Sequence, residues 1–164
     1  MLKTVPIGKS IEFDDHLGLH SVSFVNTRLI VFTGISGSGK STALKFLTDH
    51  HPDFREHSHH WLWLKGKEQK SKTVRGHRLV VVDEVVNPLQ LFKVSTLLRQ
   101  NQTVAVASHM NPAWFRILGR RANARLYYTD TDQANLASYL KRRNVDFSEK
   151  ALTAFSAQFG VNYV

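Results

Sequence analysis

Nine consecutive residues, Gly34-Ile35-Ser36-Gly37-Ser38-Gly39-Lys40-Ser41-Thr42, have the types and spacing to hold a chain of phosphates. They fit the pattern G-x-x-x-x-G-K-[ST] at every fixed position. The glycines let the backbone wrap closely and turn successive N–H groups inward. A helix starting beside them adds the positive end of its dipole. Lys40 then reaches the β- and γ-phosphates, and the Ser41 hydroxyl is placed to ligate Mg²⁺. A shorter echo, Ile7-Gly8-Lys9-Ser10, has no glycine loop before it and reads as chance.

Two further groups complete a possible hydrolytic site. Val80-Val81-Val82-Asp83-Glu84 is an apolar run ending in paired carboxylates. Asp83 can hold the metal with Ser41, directly or through water. Glu84, one residue on, can polarise an attacking water. Carboxylates at strand ends are common; following a complete phosphate cradle distinguishes these. Ser108-His109 follows the apolar run TVAVA. His109 can donate to a phosphoryl oxygen and so sense a γ-phosphate, and Ser108 can orient water. Taken alone, the pair is an ordinary polar strand end. The catalytic candidates are therefore Glu84, Lys40, His109 and Ser108, with ATP and Mg²⁺ as the implied ligands.

The elements that must position these groups are legible in outline. Residues 28–33 (RLIVFT), 78–85 (RLVVVDEV) and 103–108 (TVAVAS) are continuous apolar runs, as buried parallel strands are. HWLWL at 60–64 alternates, and ARLYYT at 124–129 is a further strand. Between them, TALKFLTDHH, LQLFKVSTLLRQ after Pro88 and Trp114 to Leu118 have helical spacing. Residues 10–14 and 20–25 pair as an N-terminal β-hairpin around Gly18 in this reading. From Asp132 the chain reads as helical, with Ser148 and Gly160 as end signals of the last helix. Strands alternating with helices predict an α/β fold: a three-layer αβα sandwich with a mostly parallel sheet, N-terminal hairpin and C-terminal helices. Right-handed crossovers bring the strands' C-terminal ends to one edge, where ligands bind. One domain over 1–164 is expected, with a nucleotide-binding core at 10–130 and a helical segment at 132–164.

Composition narrows the function classes. The chain has no cysteine, which excludes a disulfide scaffold, a thiolate metal site and a cysteine nucleophile. Its 22 basic and 13 acidic residues leave a net charge of +9, which favours nucleic acid as a partner ahead of an anionic membrane surface. No apolar run approaches the roughly 20 residues that span a bilayer, and MLKTVPIGKSIEFDDH has no secretory apolar core. A cytoplasmic location is the expectation.

Across residues 28–130 the cradle, the Asp83-Glu84 strand and the polar strand tip resemble the P-loop NTPases with a catalytic glutamate. That group contains AAA-type ATPases, ABC ATPases and FtsK/HerA-type motors. LHSVSFVNTRLIVFTGISGSGKSTALKFL is similar to the opening of an ABC ATPase. VVVDEV and TVAVASH are similar to its Walker B strand and switch histidine, and ANARLYYTD to the strand after it. This implies Glu84 as the base and His109 as the switch. The chain departs from that pattern in lacking an LSGGQ-like signature, and Gln69 is the only glutamine in the interval where a Q-loop would fall. The 42 residues between Lys40 and Asp83 leave no room for an ABC helical subdomain. The short interval suits AAA-type and FtsK/HerA-type cores. Those imply a ring in which an arginine reaches the neighbour's γ-phosphate; Arg116, Arg120, Arg121, Arg142 and Arg143 are candidates, or form a solvated basic face.

Residues 65–78 hold Lys65, Lys67, Lys70, Lys72, Arg75 and Arg78 against Glu68 alone, just after Trp61 and Trp63. Lysines neutralise phosphates and aromatic faces stack on bases, so this loop is the candidate DNA or RNA contact. The alternative is a solvated loop with the tryptophans in the core. His50, His51, His57, His59 and His60, near Asp53 and Glu56, have irregular spacing and read as a surface loop rather than a zinc site. The expectation is a Mg²⁺-dependent ATPase that drives a conformational or assembly switch with nucleic acid, as a homo-oligomer or with a partner protein. A nucleotide or small-molecule kinase and an ATP-gated subunit with little turnover are the alternatives.

Overall fold

Five short strands line up side by side, all parallel, in the order β2-β3-β4-β1-β5. They are β1 (Leu29–Thr33), β2 (His59–Trp63), β3 (Leu79–Val85), β4 (Thr103–Ser108) and β5 (Ala124–Tyr128). The helices among the described residues include α1 (Lys40–Asp49), α2 (Gln90–Gln100), α3 (Ala113–Gly119) and α4 (Glu149–Phe159). These come from a computed structural model that describes residues 17–64, 74–119, 122–129, 137 and 146–159.

Burial follows strand position. Every residue of β1 and β4 is buried, as central strands covered on both faces require, whereas the edge strands β2 and β5 are largely half-exposed. Alternation sorts the two faces. Ile30, Phe32, Ala105 and Ala107 face α1 through Ala43, Leu44 and Leu47. Leu29, Val31, Val104 and Val106 face Val94, Leu97 and Leu98 of α2 and Phe115 of α3. Each fully buried side chain of this size stabilises the fold by about 1.5–3 kcal/mol. The result is the expected three-layer αβα sandwich. Ser148 also acts as expected: its hydroxyl accepts the Ala151 N–H at 3.1 Å at the start of α4.

The described arm of the expected N-terminal hairpin is not a strand. Leu19–Ser21 forms a 3₁₀ turn, and residues 22–25 pair with no strand. Their backbone groups are satisfied by side chains instead. His51 Nε2 lies 2.9 Å from Val22 O and 3.1 Å from Leu19 O, and Asp53 Oδ2 accepts the Phe24 N–H at 2.6 Å. Phe24 is then buried against His51 and Phe54. The other arm, 10–14, and the start of the helical stretch after Asp132 lie outside the described residues.

Candidate functional site

The cradle starts where β1 ends. Thr33 donates its hydroxyl to Met110 O at 3.0 Å, tying β1 to the chain just after β4. Gly37 and Gly39 have φ of 74° and 84°, left-handed values that glycine adopts without a Cβ penalty. Gly39 then caps α1, whose first residue is Lys40. The Lys40 side chain is only 7% exposed. Its ammonium donates to Gly34 O at 3.0 Å, Ile35 O at 2.5 Å and Ser38 Oγ at 3.3 Å. Desolvation pulls its pKa below the usual lysine value, opposed by the charge of Asp83. The cation is thus held inside the loop by carbonyls that a phosphate oxygen can replace.

The acidic pair occupies a break in the sheet. Val82 pairs with Val106 and Val85 with Ser108, so Asp83 and Glu84 together oppose the single residue Ala107. This is a β-bulge, which bends a strand and re-aims a side chain. Glu84 adopts φ 60°, the one non-glycine residue with positive φ among those described. Such a conformation costs about 1–3 kcal/mol and persists where surrounding contacts impose it. Here they are visible. The Glu84 N–H donates back to Asp83 Oδ1 at 2.9 Å, and the Ser108 hydroxyl donates to Val85 O at 2.5 Å while accepting the Met110 N–H at 3.0 Å.

Those last two bonds define Ser108. It is fully buried and does not line the cleft. The structure therefore does not bring it to where water would be oriented; it fastens the bulge that aims Glu84. Its neighbour His109 does reach the cleft, together with residues 36–42, Asp83, Glu84 and Ala107. The cleft encloses about 180 Å³ at the C-terminal ends of β1, β3 and β4. Of the other cradle residues, Gly34 lies behind the cleft against Thr129, and Ile35 is exposed at its outer side. A larger groove of about 700 Å³ lies between α2 and α3 near Arg28 and Arg99 and holds none of the motif residues. Chemistry rather than volume locates the site.

The electrostatics of His109 yield a test. Desolvation and the Lys40 charge lower its pKa, against opposing contributions from a Gly34 backbone hydrogen bond, Glu84 and Asp83. The ring is therefore neutral near pH 7 and remains a neutral donor below its usual 6.5. Because the folded-state value is depressed, stability is lost as pH falls from the unfolded value through the folded one. Melting temperatures between about pH 7.5 and 5 should show the wild type losing ground to His109→Gln. A constant gap between the two would contradict the assignment.

Several participants carry no motif. Thr129, at the end of β5, shares a 2.5 Å hydrogen bond with Ser38 Oγ and bonds Thr33 O through both its N–H (2.8 Å) and hydroxyl (3.2 Å). It supports the cradle from behind. Trp63, 68% exposed at the end of β2, donates to Asp83 Oδ2 at 3.2 Å. His51 is buried in the core, not in a surface loop, and its Nδ1 accepts the Asp53 N–H at 3.1 Å. Lys65, Lys67, Lys70 and Lys72 lie outside the described residues. Arg75 is exposed, and Arg78 is held by Gln102 at 2.5 Å. Arg116 is exposed on α3; Arg120, Arg121, Arg142 and Arg143 lie outside the described residues. Among the described residues, no three His, Asp or Glu side chains gather to hold a metal by themselves. No described helix is long and apolar enough to cross a membrane.

No protein-family model matches the chain, and no curated protein matches it. Solved structures do. Domain III of the Thermotoga maritima replication initiation protein DnaA aligns with a TM-score of 0.56 at 14% identity, over 97% of this chain and 80% of that one. AMPPCP-bound DnaA from Aquifex aeolicus aligns at 0.53 and 15% identity, over 93% of this chain and 57% of that one. A DNA replication initiation factor aligns at 0.53 and 14% identity, over 98% of this chain and 59% of that one. At such identities the likeness shows the fold alone, a parallel sheet between layers of helices.

Proposed function

We propose that residues 1–164 form one P-loop ATPase domain, with a nucleotide-binding core at 10–130 and a helical segment at 132–164. It binds ATP with Mg²⁺, hydrolyses it and drives a conformational or assembly switch with a nucleic-acid partner in the cytoplasm. The observation that carries this is Glu84: a left-handed, bulged residue opening into the same cleft as the phosphate cradle. Backbone strain beside a phosphate loop is difficult to explain as packing alone.

The donor set fits magnesium. The Ser41 hydroxyl and the Asp83 carboxylate line one cleft, and Mg²⁺ takes one or two carboxylates together with phosphates and waters. When bound, Mg²⁺ would offset charge building on the phosphate oxygens. The chain's own residues do the rest. Lys40 exchanges the carbonyls of Gly34 and Ile35 for phosphate oxygens. Glu84 orients a water and takes its proton on the carboxylate. His109, neutral, donates a hydrogen bond to the γ-phosphate. This arrangement favours water over a second substrate as the acceptor, and so an ATPase over a kinase.

Support for the partner is broader. The +9 charge suits a polyanion. Two of the structural neighbours are named for replication initiation, and the third was solved with AMPPCP, a non-hydrolysable ATP analogue. The direct test is calorimetric titration with ATP and Mg²⁺, with phosphate release measured in the absence of any acceptor. Lys40→Ala should weaken binding at least tenfold, given about 1.5–3 kcal/mol for a hydrogen bond to a charged group. Absence of binding by the wild type, or equal affinity in the variant, would overturn the reading.

A further inference from the structure

A tryptophan more than two-thirds in solvent adds little to a core, yet Trp63 occupies a defined position. It pairs in register with Asp83 across β2 and β3, so the two side chains lie next to each other on one face. Its indole N–H lies 3.2 Å from Asp83 Oδ2, while the Glu84 N–H occupies Oδ1 at 2.9 Å. One donor on each oxygen sets the plane of the carboxylate. Asp83 itself is only 5% exposed at the end of β3.

The chemistry of the donor matters. Lysine or arginine at position 63 would orient Asp83 and also neutralise it. An indole N–H donates without charge and cannot accept. It fixes the carboxylate and leaves its full negative charge for a cation. Each oxygen also keeps a second lone pair free of these two bonds. Donors behind a metal ligand are worth tenfold or more in metal affinity.

We propose that Trp63 is the positioning residue for the magnesium-binding carboxylate of Asp83. The role rests on the reading of Asp83 as a metal ligand given above, and it is absent from the sequence motifs. Trp63 belongs to the edge strand rather than to the cradle. Its bond to Asp83 therefore ties the metal ligand to β2.

The test uses the whole chain. Calorimetry at fixed ATP and varied Mg²⁺ gives the Mg²⁺ midpoint of nucleotide binding. Trp63→Phe keeps a flat ring and removes the donor, and should raise that midpoint about tenfold or more. ATP binding without Mg²⁺ and the melting temperature should stay at wild-type values. Trp63→His, which restores a neutral N–H, should return the midpoint toward wild type. Intrinsic emission supplies a second signal. Mg²⁺ with nucleotide should change the emission of the wild type, and that change should be missing in Trp63→Phe, where Trp61 and Trp114 remain. An unchanged midpoint in Trp63→Phe, alongside a shifted midpoint in Asp83→Asn, would overturn the positioning role alone. A wild type indifferent to Mg²⁺, or an Asp83→Asn midpoint equal to it, would overturn the metal reading and this inference with it.

Discussion

Replacing Glu84 with glutamine is expected to cut phosphate release about 10²–10⁴-fold while ATP binding persists. Glutamine keeps the shape and the hydrogen-bonding reach of glutamate but cannot take a proton from water. Steady-state phosphate release and calorimetry on the same sample separate the two effects. Release at the wild-type rate would remove Glu84 from the chemistry. A second pair of variants isolates the backbone. Both Glu84→Ala and Glu84→Gly lack the carboxylate, and in an ordinary strand the glycine would be the less stable by roughly 0.5–1 kcal/mol. At φ 60° the order should reverse, because a Cβ in the left-handed region costs about 1–2 kcal/mol. Denaturant midpoints at equal slope read the difference directly. If glycine proves the less stable, the bulge does not hold Glu84 as described.

This strain also marks where the sequence stops being readable. The cradle at 34–42 was legible because a phosphate chain dictates each residue type there. The sheet was legible because β1, β3 and β4 are continuous apolar runs. VVVDEV, by contrast, has no glycine or asparagine to announce a left-handed turn. The turn is held from another strand by Ser108 on Val85 O and locally by the Asp83 carboxylate on the Glu84 N–H. Ser108 and His109 look equivalent in sequence, but Ser108 ends β4 with its hydroxyl turned to Val85 O, and His109, one residue past the strand, is the one that enters the cleft. The Trp63–Asp83 contact depends on strand register, which no local pattern encodes. In sequence His51 reads with its neighbours as surface, because irregular spacing hides burial. It is recognised only once two carbonyls of the 19–22 turn converge on its ring. Those bonds also explain why residues 20–25 need no partner strand.

Gly34→Ala should be the most damaging single substitution in the cradle, for a reason unrelated to phosphate. A Cβ at Gly34 would overlap the Thr129 backbone carbonyl oxygen and lie 2.6 Å from Thr129 Oγ1 and 3.1 Å from Ser38 Oγ. A hydroxyl can rotate away, but the carbonyl cannot. It belongs to the residue that follows the Thr33–Tyr128 pairing and whose N–H is bonded to Thr33 O at 2.8 Å. Relief requires β5 to move off β1 or the loop to rise from the sheet, and either change separates Ser38 from Thr129. Overpacking of this kind costs about 1–3 kcal/mol where neighbours yield and more where they do not; here the upper end or beyond is expected. Gly18→Ala is the control. Gly18 has φ 66° with nothing within 4 Å of an added Cβ, so only the left-handed penalty of about 1–2 kcal/mol applies. Urea midpoints of the two variants should therefore differ clearly, with Gly34→Ala also losing ATP binding and Gly18→Ala keeping it. Equal stability would mean that β5 does not press on the cradle. The loop would then be free to open without disturbing β5.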